Sequence, residues 1–500
     1  VGNTLTLDNY ITPYLNTAGV ALSNAGSTYC VTAGPMFMVG GWDTSRNALT
    51  WANFVGDILI RDGIIDGNRT NNIKGRWWPT AIDMYIGTNY LRVDNMRHVN
   101  VMGDCYVMSG KGIRITNTKI HVASGNGFHP GSWDGTNGIE DGEVSGCYVY
   151  DCDKDTTIGH ANGAYMFSNN VHRMVYSNNT VDTSASWGIG SGMNLLDSDA
   201  TFTGNIVKSC TRGGFYFSAT SSAVVTGNIF KSCGSDTPSA VIYTSCIEGA
   251  TQRITISGNL FEDSNILVRN NTGGVINITN NAFTDTRATG SNWYRGCLQL
   301  YTASSVNVSG NTFQFIGTPA FNYTRGIAVD ACNDIQITNN FFQSLFYGID
   351  IGVTSSHIDI SGNRFLDSYY AGIRQSGAGL GIKISGNSFH VVSGATTDTN
   401  PSCIFLTRTP AEAELISNNT IRTYKSSCYG IYVAATATKA NIINNDIRMT
   451  TPVSTIGFSS AADTTSHVAG NILSSATIAN VGTAIVNFGA TAGDSNLYSQ

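Results

Sequence analysis

Charged side chains are scarce in this chain. Asp, Glu, Lys and Arg make up 12% of its 500 residues, about half the usual share near 25%. A chain so poor in charge does not build helices with a solvated charged face. Proline is also rare, at 9 residues against 55 glycines. There is no basic stripe and the net charge is -6. Nucleic acid is therefore an unexpected partner, because phosphate contacts need clustered Lys and Arg. No run approaches 18 consecutive apolar residues, so no membrane-spanning helix is expected. The eleven cysteines form no CxxC metal knuckle. An odd number leaves at least one unpaired, and a disulfide scaffold is not expected in so long a chain. A helical period is missing throughout, with "SRNALTWANF" near Ser45 the best and a weak exception. The chain opens at Val1 with neither an initiator Met nor a signal-like segment, as expected of a processed form or of a sequence whose upstream residues are missing.

What the chain has instead is one phrase written many times. "ISGNLFEDS" at Ile256 returns as "ITNNAFTDT" at Ile278, "VSGNTFQFI" at Val308, "ITNNFFQSL" at Ile337, "ISGNRFLDS" at Ile360 and "ISGNSFHVV" at Ile384. Aligned on its Asn, the phrase runs from Asn179 to Asn471 at spacings of 22 to 32 residues. Weaker copies reach back through "FSNNVHRMV", "VSGCYVYDC" and "ITNTKIHVA" to "ILIRDGIIDGN" near Ile58. Each repeat holds three short segments in which apolar and polar residues alternate, the mark of strands with one buried face. Gly, Asn, Asp and Ser fill the turns between them. Three strands per repeat predict an all-β fold, a parallel β-helix in which each strand pairs with its equivalent one coil later. About 16 coils at roughly 4.8 Å each would extend about 75 Å. The repeated Asn is expected to point inward at a corner and bond backbone groups and its neighbours above and below. The Gly or Asn before it supplies a positive φ. Cys210 and Cys233 share one slot in successive repeats, with Cys152 in a similar one, as stacked buried thiols.

The "SGN-x-F" and "TNN-x-F" corners resemble those of the right-handed parallel β-helix superfamily, which holds pectate-lyase-like enzymes, polygalacturonase-like hydrolases, epimerases and phage tailspike depolymerases. The resemblance runs from about Asp57 to Leu473, and "ILIRDGIIDGNR" looks like the first coil of such proteins. It implies a right-handed solenoid and a carbohydrate polymer as ligand, without naming one reaction. Around a solenoid of 57–474, residues 1–56 are expected to form an N-terminal cap and 475–500 a C-terminal cap or subunit contact. Four of the seven tryptophans fall between Trp42 and Tyr85, where they suit a cap or a second sugar-stacking surface.

Function is expected where the repeat is overwritten. The largest break runs from Ser124 to Asn170. It puts seven carboxylates into residues 134–155, of 34 in the chain. Glycoside hydrolysis uses two carboxyls, about 5–5.5 Å apart for retention or about 6.5–9.5 Å for inversion. Adjacent coils offer either separation. Asp134 with Asp153 or Asp155 is the preferred catalytic set, with His129 and His160 as acid, base or sugar hydrogen-bonding groups. The same acids also suit a solvated loop, or calcium as the one ion expected to bind; no other cofactor and no dedicated metal site is expected. "DCDKD" followed by "GH" is loosely similar to the acids and Gly-His of polygalacturonase-like hydrolases, but their adjacent Asp-Asp and downstream Arg-x-Lys are not present in order.

Stacking the third strands "GFHPG", "TIGHA", "GIGSG" and "GFYFS" points Phe128, Ile158, Ile189 and Phe215 inward. His129, Gly159, Gly190 and Tyr216 then form one outward column, whose glycines would floor a sugar site. The column is expected to continue through Gln299, Asp350, Arg374, Phe405 and Tyr432. Trp133, Trp187 and Tyr216 are the candidate stacking platforms, and Glu140, Glu143 and Arg173 the candidate polar contacts to substrate. The reading is a polysaccharide-degrading glycosidase acting on a bacterial surface glycan, extracellular or on a virion surface, with a homotrimer compatible with it. A polysaccharide lyase or epimerase is the alternative chemistry. A non-catalytic carbohydrate-binding adhesin or receptor-binding fibre is the alternative class.

Overall fold

A computed structural model describes residues 3–6, 23–24, 27–28, 37–40, 59–66, 82–87, 90–101, 103–130, 138–152, 165–167, 171–191, 198–218, 221–234, 245–249, 252–287, 296–317, 324–352, 354–377, 379–391, 401–407, 414–424, 428–434, 440–449, 454–458, 467–474 and 497–499. The chain divides into two compact units. One comprises Val1–Ser235 with Tyr243–Thr255, the other Asp236–Ile242 with Ile256–Gln500. Every regular element among the described residues is a β-strand.

Each repeat folds as one coil of a parallel β-helix. In the second unit, the strands Ser304–Ser309, Thr312–Phe315 and Arg325–Asp330 belong to a first, second and third sheet. Each pairs in parallel with its counterpart one coil later, Asn333–Thr338, Phe341–Gln343 and Tyr347–Ile351. The first unit repeats the plan, with Met174–Ser177, Thr180–Ser184 and Trp187–Ser191 beside Ser198–Thr203, Ile206–Cys210 and Gly213–Ser218. The period-two sequence pattern is the cause: Val306 and Val308 are buried while Ser305 is exposed and Asn307 and Ser309 are half-buried. The ends of the sequence contribute short strands to the same pairing. Asn3–Thr6 lies beside Gly63–Asp66, and Leu497–Ser499 beside Ile472–Ser474.

The repeated Asn does what its corner requires. In the second unit, the backbone N–H and Nδ2 of Asn281 both donate to Oδ1 of Asn311, at 2.9 and 3.0 Å. Its Nδ2 also donates to the Ile256 carbonyl at 2.9 Å. The backbone-to-Oδ1 link continues through Asn340, Asn363, Asn387, Asn419 and Asn445 to Asn471. A shorter run in the first unit joins Asn179, Asn205 and Asn228. It begins where the Asn is replaced: the Cys147 N–H donates to Asn179 Oδ1, and Cys147 Sγ contacts the Ser145 carbonyl at 3.4 Å. These amides are buried, so a group left unbonded there would cost about 1–3 kcal/mol.

The residue before each Asn sits at φ near +55 to +65, as at Gly258 (+65) and Asn280 (+55). That conformation favours Gly and Asn, which explains why the phrase alternates between SGN and TNN. The Phe two residues after the Asn packs on its own image. Phe261, Phe283, Phe313, Phe342, Phe365 and Phe389 stack with successive centroid distances of 4.7, 4.9, 5.0, 4.7 and 4.6 Å. Cysteines fill small buried slots. Cys152, Ser184 and Cys210 are lateral partners in the first unit. All ten described cysteines are buried.

Candidate functional site

The third sheet carries the chemistry because of one local pattern. Its strands read Trp187-Gly188-Ile189-Gly190, Tyr347-Gly348-Ile349-Asp350 and Tyr429-Gly430-Ile431-Tyr432. The Gly and the Ile both face the core. A Cβ on Gly348 would meet the Phe365 ring at 2.7 Å, and one on Gly188 would meet Val207 at 2.2 Å. The residues on either side of the Gly-Ile pair differ in exposure: Trp187 is half-buried, whereas Tyr347, Tyr429 and Tyr432 are buried in one aromatic cluster. They form two adjacent columns, and large side chains on them can touch diagonally.

In the first unit, Trp187 and Tyr216 make such a contact. Trp187 is the lateral partner of Gly213, and Tyr216 that of Gly190. The two rings therefore meet across a pair of glycines, stacked at 4.6 Å and 24°. Arg212 places its guanidinium carbon 5.0 Å from the Trp187 ring centroid. The Tyr216 hydroxyl donates to Glu248 Oε2 at 3.2 Å. Both rings are half-buried. Two of the expected stacking residues thus form a single aromatic platform, edged by one cation and one carboxylate.

The expected column through His129 is corrected in two ways. The position beside Phe128, expected for Ile158, is held by another strand; Ile158 and Gly159 lie outside the described residues. Tyr165–Phe167 takes that place, with Phe128 beside Tyr165 and Tyr165 beside Ile189. The stretch after Cys152 is longer than the repeat needs, and local alternation in "TIGHA" could not show which part re-enters the sheet. Gly190 lies beside Tyr216, in the register the column predicts.

His129 is also not open to solvent. It is 2% exposed, with Nδ1 2.9 Å from Asp104 Oδ2. An ionised carboxylate only accepts, so Nδ1 carries the proton of this bond. Asp104 Oδ1 accepts from the Asn126 backbone N–H at 2.8 Å and from its Nδ2 at 3.0 Å. Asp104 lies 25 residues upstream, at the start of the preceding third-sheet strand. No motif links it to His129 in the sequence.

Glu140 and Arg173 come together, but with each other. Arg173 Nη2 donates to Glu140 Oε1, and Arg173 Nε donates to Asp141 at 2.6 Å. Lys111 adds contacts at 3.5 and 3.6 Å to the same two acids. Arg173 holds both carboxyls below their usual range. This is an exposed ion network at a coil corner, worth little as stability. Glu143 accepts from the Ser145 hydroxyl at 2.8 Å and lies 3.8 Å from Arg114. Trp133, Asp134, Asp153, Asp155 and His160 lie outside the described residues.

The second unit carries a constellation that the sequence showed only as a column. The register Gln299, Ala328, Asp350, Arg374, Phe405 and Tyr432 is as the repeat predicts. Its members are more covered than a shallow groove implies. Asp350 Oδ2 lies 2.9 Å from Arg325 Nε, and its Oδ1 3.2 Å from Arg374 Nε. Neither contact has the alignment of a hydrogen bond, so they are ion pairs. Arg374 Nη1 donates to the Tyr347 hydroxyl at 2.5 Å. Both guanidiniums lie over the Tyr347 ring, at 5.7 Å for Arg325 and 4.6 Å for Arg374. Burial opposes the charge on Arg374, but Asp350 and Tyr347 outweigh it and raise its pKa. Burial likewise raises that of Tyr347. Aromatic rings continue beside it, Phe346 on Tyr370 at 5.3 Å, Tyr370 on Phe405 at 5.7 Å and Phe405 on Tyr432 at 5.3 Å.

Comparison with known proteins places the chain by family. No protein of curated function matches it. Among solved structures, two mutants of the tailspike protein of E. coli bacteriophage HK620, one in complex with a hexasaccharide, are 11% and 12% identical. Each match covers 87% of this chain and 71% of the other, with a TM-score of 0.23. A likeness of that size carries no functional weight. A family model described as periplasmic copper-binding protein (NosD) matches residues 100–294 and 286–455, well over half of the sequence, and the chain belongs to that family of parallel β-helices.

Proposed function

We propose that the chain binds a polysaccharide on its third-sheet face and cleaves it by glycosidic hydrolysis. One observation carries the binding reading: the outward columns of the third sheet hold aromatic side chains that are paired with charges. Trp187 and Tyr216 with Arg212 and Glu248 do so in the first unit; in the second, Tyr347 is buried beneath Arg325 and Arg374. Pyranose rings stack on such faces, and their hydroxyls need charged and amide partners at the rim. Within each unit, the coil register sets such positions side by side along the sheet. Hydrolysis is assigned to Asp134 with Asp153 or Asp155, on the local excess of acids. His129, held by Asp104 in the neighbouring coil, acts as a positioning residue. The tailspike complex with a hexasaccharide is a precedent for a sugar ligand, not an argument for one.

The family description names copper, and the described residues do not fit it. Among them no group of three or more His, Cys, Asp or Glu could hold a metal ion. Burial pushes the Cys147 thiol up to about 12 and that of Cys332 to about 11, so neither offers a ready thiolate.

Affinity electrophoresis of the whole chain through bacterial surface polysaccharides tests the binding. Retardation that is lost in the Trp187→Ala, Tyr216→Ala double variant supports it; retardation unchanged in that variant sinks it. New reducing ends without absorbance near 235 nm indicate hydrolysis, that absorbance a lyase, and binding with neither an adhesin. Cleavage that survives simultaneous Asp-to-Asn replacement at 134, 153 and 155 removes the catalytic assignment.

A further inference from the structure

Two thiols from neighbouring coils of the second unit meet in the core. Cys403 lies in the third-sheet strand Ser402–Leu406, and Cys428 immediately precedes the next one, Tyr429–Val433. These strands pair in parallel, Ser402 beside Tyr429 and Ile404 beside Ile431. The pairing starts at the corner itself, where the Tyr429 N–H donates to the Pro401 carbonyl at 2.8 Å. Cys403 is 1% exposed and Cys428 3%.

The slot of Cys403 explains the contact. Gly348 and Gly372 hold the same position in the two preceding coils, and Gly430 holds it in the next. A Cβ in this slot points across to the following coil. On Gly348 it would lie 2.5 Å from the Gly372 carbonyl oxygen, and on Gly372 2.9 Å from that of Cys403. Cys403 therefore aims its side chain at the coil that carries Cys428, and Gly430 beside it adds no side chain of its own. The two thiols hydrogen-bond each other, and Cys428 Sγ lies 3.4 Å from the Tyr429 carbonyl oxygen. Cys297 occupies the same slot beside Gly326 and is also buried, at 3% exposed. There the residue in the position of Cys428 is Thr324, so Cys297 is an internal control.

We propose that Cys403 and Cys428 are a disulfide site, a reversible covalent clasp between successive coils. A low-molecular-weight disulfide is the oxidant. One cysteine loses its proton, and its sulfur displaces half of that disulfide as a thiolate. The second cysteine, also deprotonated, then displaces the other half and closes the bond. Two S–H bonds are lost, two electrons pass to the small disulfide, and two small thiols leave with the two protons. The hydrogen bond to Cys428 and burial hold the Cys403 thiol well above its usual range, so the exchange waits for local opening of the coil. Once closed, the bond opposes that opening, because it ties together residues 25 positions apart and restricts the opened chain.

The test incubates the folded whole chain with oxidised glutathione, alkylates the remaining thiols in denaturant, and maps the peptides by mass spectrometry without reduction. The expected product joins the peptides of Cys403 and Cys428, two hydrogens lighter than their sum, while Cys297 in the same sample is recovered alkylated. Dithiothreitol should release the two peptides. Amide exchange over residues 402–433 should slow about tenfold or more in the oxidised chain and recover on reduction. Cys428→Ser should leave Cys403 unlinked and the exchange insensitive to the oxidant. Recovery of both cysteines as thiols, while the same treatment oxidises the chain in urea, overturns the assignment. So does linkage of Cys403 to other cysteines as readily as to Cys428. A link that leaves amide exchange unchanged overturns the clasp.

Discussion

Glu414 opens the strand Glu414–Ser417 with its carboxyl in the core. It is 1% exposed, and neither oxygen has a hydrogen-bond partner among the described residues. Its lateral neighbour is Ala440, and the next residue hydrogen-bonds the carbonyl of Ile382. Ala440 and Ile382 are buried apolar residues, so neither solvates a charge. Burial pushes the carboxyl up from 4.5 to about 8. The folded chain therefore keeps a proton that the unfolded chain releases between those values. Stability is greatest below about pH 4.5 as far as this group is concerned, falls as pH rises, and levels off above about pH 8. At 1.36 kcal/mol per pH unit, the loss is about 3 kcal/mol at pH 7 and about 5 kcal/mol above pH 8. Glu414→Gln keeps the shape and removes the titration. The difference in stability between the native chain and this variant should change by about 5 kcal/mol from pH 4.5 to pH 8.5. Solenoids open locally, so amide hydrogen exchange over 414–449 is the sharper assay. Native amides there should lose about a few-hundredfold protection relative to the variant between pH 4.5 and pH 7, after correction for intrinsic exchange. A difference that stays constant with pH would refute the reasoning, because it would mean the carboxyl is ionised or solvated in the fold.

Two further outcomes follow from the corner. Asn311→Ala removes the acceptor of the Asn281 N–H and Nδ2 and the donor to the Ile278 carbonyl. It should destabilise the second unit by about 2–5 kcal/mol in urea unfolding; a loss below about 1 kcal/mol would show that water replaces the ladder. Gly362 (φ +67) and Gly258 (φ +65) occupy the same corner position, but an added Cβ would meet Asn339 Oδ1 at 2.5 Å in the first case and nothing within 4 Å in the second. Gly258→Ala should cost about 1 kcal/mol for the backbone alone. Gly362→Ala should cost measurably more in the same assay, and equal costs would show that the asparagine side chain simply moves.

The coil was legible in the sequence because its determinants are local and repeated. The Asn, the positive-φ residue before it and the Phe after it recur at every corner, and each answers a backbone or packing need that is the same in every coil. That regularity also located the column from Gln299 to Tyr432, since insertions between those coils fall outside the strands. It failed after Cys152, where the insertion is long enough to hide the strand Tyr165–Phe167 behind a false match at Ile158. The partners of Arg173 were hidden for a related reason. Its charge marked it as a ligand group, but its partners Glu140 and Asp141 lie a coil away.

The sequence by itself determined the three-strand coil, the inward amide ladder and the face on which large side chains collect. Tertiary structure alone decided which charges meet: Asp104 with His129, Asp350 with Arg325 and Arg374, and Glu414 with none among the described residues. The physical reason is that a parallel coil brings together residues 22 to 35 positions apart, through loops of unequal length. The corners are built from contacts that each coil must make with the next, whereas these charged contacts depend on single side chains that no repeat specifies.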